Sequence, residues 1–293
     1  MPELPEVQTI VDELRSSGFV GLKITGCDVR WPPIVRGRSV PSFKKLILGK
    51  YIRGISRRGK YIVIRLSRRY YLLVHLRMSG QFSLVRAGLK RDSHQHIILC
   101  LGGRRELRYR DTRKFGRWQL TTDPSEILGA LGPEPLGKSF SPGSLYLMLC
   151  ARRRQLKPLL LDQRMIAGIG NIYADEALWV ARLHPRRLSG SLKESESQAL
   201  FKAIRCVLRR GIRNKGTSMG NGAGNYRRLD EKRGRNQDCL MIVRERGSVC
   251  PVCRAVITRT LVGQRATYFC PKCQKLRARK SEPQRSESQK TGN

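Results

Sequence analysis

Carboxylates are scarce in this chain. Asp and Glu together number 22 against 59 Lys and Arg, leaving a formal net charge of +37 over 293 residues. Such an excess calls for a polyanionic partner, nucleic acid first. It names a ligand and not an activity, because a ribosomal or chromatin component would share it. Long apolar runs are also missing: no stretch approaches the ~20 residues of a membrane-spanning helix. The basic residues are spread along the whole length and not gathered on one amphipathic helix, which disfavours a phospholipid surface. No apolar targeting segment follows the start, so a cytoplasmic location is expected. The odd total of nine cysteines and the lack of an export signal argue against a disulfide framework. Cys27, Cys100, Cys150, Cys206 and Cys239 stand singly and read as reduced thiols. No internal repeat is present.

The first residues, Met1-Pro-Glu-Leu-Pro-Glu6, carry more information than a chain start usually does. Removal of Met1 would make Pro2 a terminal secondary amine beside the carboxylate of Glu3. Val7, Ile10, Val11 and Leu14 then fall at i, i+3, i+4 and i+7, and Gly18 closes the run, so a helix is expected at once. An amine held on a folded element can attack a carbonyl-type carbon and form a Schiff base. A terminal amine titrates near ~8, well below lysine. Taken alone, the segment is equally a proline-rich helix start.

After this helix the pattern turns to period two and short apolar runs. Strands are predicted over 22–29, 51–55, 61–66, 70–76, 96–101, 106–110 and 115–120. Short strands at this spacing suggest an antiparallel sandwich or barrel. The pattern breaks at Leu131-Gly-Pro-Glu-Pro-Leu-Gly137, where a domain boundary is placed. Helical periodicity returns from Ser144, most clearly over 172–181 and 194–212. A Gly/Asn-rich loop follows over 214–224. A ribbon-like module covers about 240–275, and the Lys/Arg/Gln/Ser tail beyond it is expected to be disordered.

Cys250-Pro-Val-Cys253 and Cys270-Pro-Lys-Cys273 form C-x2-C-x16-C-x2-C, the spacing of a closed four-thiolate zinc site. Four sulfur ligands leave no open position, so the metal is structural. Between the pairs, Thr258 to Phe269 alternates as a β-hairpin with Arg265 near its tip. Lys60 opens a strand after Arg57-Arg-Gly, suited to a phosphate contact or merely to a solvated edge. His75 ends an apolar strand and precedes Met78 on a Gly-terminated turn; Met78 reads as a core filler or as a wedge entering a base stack. Arg113, Lys114 and Phe115 share one loop, a combination that suits nucleic acid. In Gly168-Ile-Gly-Asn171, the glycines allow a tight turn, Asn171 is positioned to cap the following helix, and the helix-start N–H groups would face outward to grip a phosphate.

With these blocks together, the chain resembles the formamidopyrimidine-DNA glycosylase family of base-excision repair enzymes. The resemblance runs from Pro2 to about Gln274. It implies an α+β fold: an N-terminal two-layered β-sandwich with an N-terminal helix (1–132), a helical domain with a helix-two-turn-helix (138–239), a β-hairpin zinc finger (240–275) and a disordered basic tail (276–293). It implies a bifunctional glycosylase and lyase that excises oxidised purines through a Schiff base on Pro2 and breaks the strand by β,δ-elimination. Glu3 would be the acid–base partner, with Lys60 and Arg265 completing the catalytic set as phosphate contacts. Glu6, His75, Lys114 and Asn171 would join the DNA-contacting surface, while Met78, Arg113 and Phe115 would fill the gap left by a flipped base. One structural Zn2+ on Cys250, Cys253, Cys270 and Cys273, a double-stranded DNA partner carrying oxidised bases, and a monomeric state complete the expectation. The chain departs from the family pattern at Arg77, where glycine is usual, and over the Arg/Asn-rich 221–246. Two other readings remain open at this point: an endonuclease VIII-like enzyme for oxidised pyrimidines, and a non-catalytic zinc-ribbon DNA-binding protein.

Overall fold

The computed structural model describes residues 1–220, 225–243 and 247–276. The tail expected to be disordered and part of the Arg/Asn-rich 221–246 region lie outside the described residues. Helix α1 (Leu4–Ser16) buries Val7, Ile10, Val11 and Leu14, the stripe that the 3.6-residue period predicts. Its start is a reciprocal capping box between Glu3 and Glu6, and the chain leaves it through Gly18 at φ +70°.

Nine strands follow, with one helix among them: β1 (Ile24–Val29), β2 (Val35–Arg36), α2 (Val40–Ile47), β3 (Ile52–Arg58), β4 (Tyr61–Leu66), β5 (Tyr71–His75), β6 (Gly80–Arg86), β7 (Gln95–Leu101), β8 (Arg105–Asp111) and β9 (Arg117–Thr121). They form two sheets, β1-β7-β8-β6 and β2-β9-β5-β4-β3, antiparallel except for the short parallel pair β2–β9. One core unites their inner faces with α1 and α2, and at its centre Phe82, Tyr109 and Trp118 pack edge to face. This is the two-layered sandwich expected from the alternation.

Three elements escaped the periodicity: β2, only two residues long, α2 and β6. Helix α2 carries its own signature, Ser39 accepting from Ser42 N at 3.4 Å, Pro41 in the first turn, and buried Phe43 and Ile47 at i, i+4. Strand β6 was hidden because Gly80 reads as the end of a turn. It is instead the first residue of the strand, paired with Asp111.

A short helix α3 (Ser125–Leu128) leads into α4 (Pro142–Cys150), α5 (Leu156–Leu161), α6 (Asn171–Val180) and α7 (Glu194–Arg213), and the hairpin β10 (Thr258–Val262) and β11 (Arg265–Phe269) closes the described chain. Helices α6 and α7, joined through the turns around Pro185, enclose a second core of Leu, Ile and Tyr173. Leu4 belongs to this second core, whereas Val7 and Ile10 on the same helix belong to the sandwich. Helix α1 therefore spans both cores, and its first turn is fixed by the helical half. Leu4→Ala should cost about 2–5 kcal/mol, as for other fully buried leucines, measured by denaturant unfolding. It should also speed hydrogen exchange at the amides of Glu3 and Leu4, which are bonded to Glu6 and Gly168.

Candidate active site and nucleic-acid interface

The chain start is docked onto the beginning of α6. Leu4 N donates to Gly168 O at 3.0 Å, and Glu3 Oε1 and Oε2 accept from Ile172 N at 3.0 Å and Tyr173 N at 3.4 Å. A carboxylate here meets both unsatisfied N–H groups and the positive end of the helix dipole. Such closeness requires glycine: a Cβ on Gly170 would lie 2.2 Å from Glu3 Cδ, and one on Gly168, at φ +89°, would lie 2.8 Å from Leu4. The expectation that Asn171 caps this helix is corrected, because Gly170 occupies the cap position and Asn171 is the first helical residue. The outward phosphate grip by the helix-start N–H groups is corrected too, since Glu3 already takes them.

Pro2 is buried and Met1 is partly exposed. Burial lowers the pKa of the terminal amine on Met1; Glu3 and Glu6 oppose this, and Lys60 and Arg113 add to it. Glu6 does not lie on the DNA-facing surface expected for it. It is 2% exposed, accepts from Glu3 N (2.8 Å), Tyr173 OH (2.8 Å) and Thr217 N (2.7 Å), and has its pKa raised by burial and by Glu3. Its carboxylate holds the Glu3 backbone from behind.

In front of the chain start opens a cleft of about 850 Å3. Among the described residues Glu3 is the one acidic group lining it, facing Arg36, Lys60, Arg77, Lys114, Arg117 and Arg265. Lys60 sits in the two-residue β3–β4 turn after Gly59 (φ +55°), and burial lowers its pKa against the pull of Glu3 and Glu6. The neighbouring arginines point away: Arg57 and Arg58 pair with Glu134 at 2.7 and 3.2 Å, tying the sandwich to the linker before α4.

His75 is buried behind the next turn, where its Nδ1 accepts from Arg77 N at 3.0 Å. Burial, with Arg77, Lys60 and Arg117 nearby, pushes its pKa down to about 3. The imidazole is therefore neutral, and only an Nε2–H remains to donate. Arg77 adopts φ +54°, the left-handed conformation that suits the glycine usual at this position. Met78 and Phe115 are exposed and line the cleft, and Arg113 stacks its guanidinium 4.8 Å from the Phe115 ring centre. Lys114, at φ +57°, lies 4.2 Å over the Trp31 ring.

Arg265 reaches the cleft from the first position of β11, and α5 and α6 hold that hairpin in place. Lys157 Nζ lies 2.7 Å from Asp175 Oδ1 with both side chains fully buried, and it donates to Ala266 O at 2.7 Å. Asn171 Nδ2 donates to the same carbonyl at 3.0 Å, and Asp175 accepts from Tyr268 N at 3.0 Å. The adjacent Glu176 accepts from the N–H groups of Met241, Ile242 and Val243, at 2.8 to 3.2 Å for the nearer oxygen. Sequence reasoning missed Lys157, Asp175 and Glu176. Charged residues set in otherwise apolar helical stretches were the available signal.

The four cysteines converge with all sulfurs within 4.8 Å of one another; Cys250–Cys273 and Cys253–Cys270 are 3.8 and 3.4 Å apart. Tetrahedral bonds of ~2.3 Å put sulfurs about 3.8 Å apart, so the set fits one structural zinc.

Two outcomes are expected. Gly170→Ala should push Glu3 off the helix start and lower both thermal stability and activity, which differential scanning fluorimetry and a turnover assay would register. The His75 ring resonances should stay at their neutral positions from pH 8 to 5. An imidazole with a pKa of about 3 folded and ~6.5 unfolded gives stability that is complete above pH ~6.5 and is lost as pH falls toward 3. Titration of His75 near pH 6.5 in the folded protein would contradict its burial.

The comparisons with known proteins agree with one another. Residues 1–118 match the formamidopyrimidine-DNA glycosylase N-terminal domain, 131–221 its H2TH domain, and 247–276 the zinc finger found in FPG and IleRS. Formamidopyrimidine-DNA glycosylases of Protochlamydia amoebophila and Herpetosiphon aurantiacus are 42% and 43% identical, over 94% of this chain and 100% of each relative. Among solved structures, wild-type Lactococcus lactis Fpg with an N7-benzyl-Fapy-dG containing DNA is 36% identical with a TM-score of 0.85, covering 94% of this chain and 100% of that one. The same enzyme with abasic-site DNA is 34% identical, also at 0.85, over 93% and 99%. The docked chain start, the cationic cleft and the four-cysteine finger thus occur together in a chain that belongs to the formamidopyrimidine-DNA glycosylase family.

Proposed function

We propose that this protein is a bifunctional DNA glycosylase and AP lyase that removes oxidised purines from duplex DNA. The observation that carries this is Pro2 buried beside a helix-bound carboxylate, opening on a cleft whose other charged lining groups, among the described residues, are all cationic. With Met1 removed, the Pro2 nitrogen attacks C1′ of the damaged nucleotide with its lone pair. The bond from C1′ to the base breaks, and the base leaves with a proton. Glu3 gives a proton to O4′ as the C1′–O4′ bond breaks, leaving an iminium ion between Pro2 and C1′. The iminium makes the C2′ proton acidic; its loss expels the 3′ phosphate, and a second elimination expels the 5′ phosphate. The attacking form is the unprotonated amine, and Pro2 is buried beside Glu3 and Lys60, where burial disfavours the charged form.

Lys60, His75, Lys114, Asn171 and Arg265 would hold the phosphates around the extruded nucleotide, with neutral His75 acting as a hydrogen-bond donor. Met78, Arg113 and Phe115 would occupy the vacated space in the stack, a requirement because C1′ is poorly reached inside an intact duplex. Glu6 acts by holding Glu3 and not by touching DNA. The proposal also takes the division into 1–132, 138–239, 240–275 and 276–293, a monomeric state and work in the cytoplasm. No described helix is long and apolar enough to cross a membrane.

Borohydride should trap a covalent complex between the protein lacking Met1 and a duplex with 8-oxoguanine opposite cytosine. A form that retains Met1 should give none. Absence of trapping after confirmed Met1 removal would sink the enzyme reading, and stronger trapping with oxidised thymine would move the substrate to pyrimidines. Binding should weaken steeply with salt as counterions are released, measured by fluorescence anisotropy between 50 and 200 mM salt.

A further inference from the structure

Asp111 has no assigned role, yet it touches both loops that carry the exposed Met78, Arg113 and Phe115. Its carboxylate is fully buried at the end of β8, opposite Gly80 at the start of β6. Oδ1 accepts from the hydroxyl of Ser79, the residue after Met78, and from Arg113 N at 3.2 Å. Oδ2 accepts from Gly116 N at 2.7 Å and Tyr109 OH at 3.4 Å. Ser79 Oγ in turn accepts from Arg113 N at 3.1 Å. Each end of the Arg113–Phe115 loop is thus hydrogen-bonded to one carboxylate, and the Met78 turn is bonded to the same group. The backbone adapts to this: a Cβ on Gly116 would lie 1.9 Å from Tyr109 Oη, and Lys114 takes φ +57°. A buried carboxylate is costly unless its lone pairs are met, and here they are met by both loops at once.

We infer that Asp111 and Ser79 are positioning residues that join the Met78 turn and the Arg113–Phe115 loop into one rigid wedge. The two loops come from different strand connections and have exposed tips, and the shared carboxylate with Ser79 adds side-chain bonds between them beyond the β6–β8 pairing at their bases. A wedge must resist the restacking of the bases it separates, which costs a few kcal/mol per step. Joining the loops supplies that resistance without either residue touching DNA. The inference rests on the proposed glycosylase function, because it concerns how the duplex is opened.

The test uses two variants and two substrates. Ser79→Ala removes the bridge with little change in volume, and Asp111→Asn sets an amide NH2 against a backbone N–H. Single-turnover excision of 8-oxoguanine from duplex should fall about tenfold or more, the worth of one hydrogen bond to a charged group. Cleavage of a single-stranded oligonucleotide carrying a preformed abasic site needs no wedge and should change less than about twofold. A 2-aminopurine probe beside the lesion should show less unstacking on binding, a readout that general destabilisation would not mimic at a temperature where the variant is folded. Equal loss on both substrates, or no loss on duplex with Ser79→Ala, would overturn the inference. Failure of the unaltered protein to cleave either substrate would instead overturn the functional proposal on which it rests.

Discussion

The carboxylate of Glu3 on the first N–H groups of α6 is the contact on which the rest of the arrangement depends. It joins the chain start to a helix more than 160 residues away in sequence, and so fixes the sandwich against the helical half. Gly168 and Gly170 exist in the form they do because this contact leaves no room for side chains. Leu4 sits in the helical core, and Glu6 turns back to Tyr173 and Thr217, for the same reason. Breaking the contact would release the terminal amine from the one place where a carboxylate and a row of cations surround it.

The scarcity of acidic residues acquires a meaning from their placement. Glu3, Glu6, Asp111, Glu134, Asp175 and Glu176 each gather backbone N–H groups or buried cations. Asp111 organises two loops, Glu134 holds the Arg57–Arg58 edge, Asp175 seats the finger hairpin on α6, and Glu176 holds the 241–243 segment that leads into the finger. Because all of these carboxylates except Glu3 work behind the surface, the cleft keeps most of its cations unneutralised. The polyanion that the composition demands has one face on which it finds six cations and a single carboxylate. Zinc and α6 divide their work: zinc holds the finger's own fold, and the helix sets where Arg265 points.

Much of the fold was legible because it rests on local rules. The stripe Val7, Ile10, Val11 and Leu14 marks α1 through the helical period, and alternation marks most of the strands. Cysteine spacing marks the finger, since two C-x2-C turns bring four thiolates together whatever lies between. The misreadings have local causes as well. Strand β6 begins with a glycine that looks like the end of a turn, and α2 is a short helix whose cap was passed over. Asn171 looked like a cap because the residue type suits one, but the cap came from Glu3, which no local window contains.

The sequence by itself determined the ligand class through charge, the metal site through spacing, and the candidate nucleophile through its place at the chain start. Those properties depend on composition and on neighbours along the chain. Tertiary structure alone decided which of the chemically similar residues face the cleft. Lys60 faces it while Arg57 and Arg58 do not, and Glu3 faces it while Glu6 lies behind. Burial and pairing set those differences, and both depend on groups brought together from distant parts of the chain.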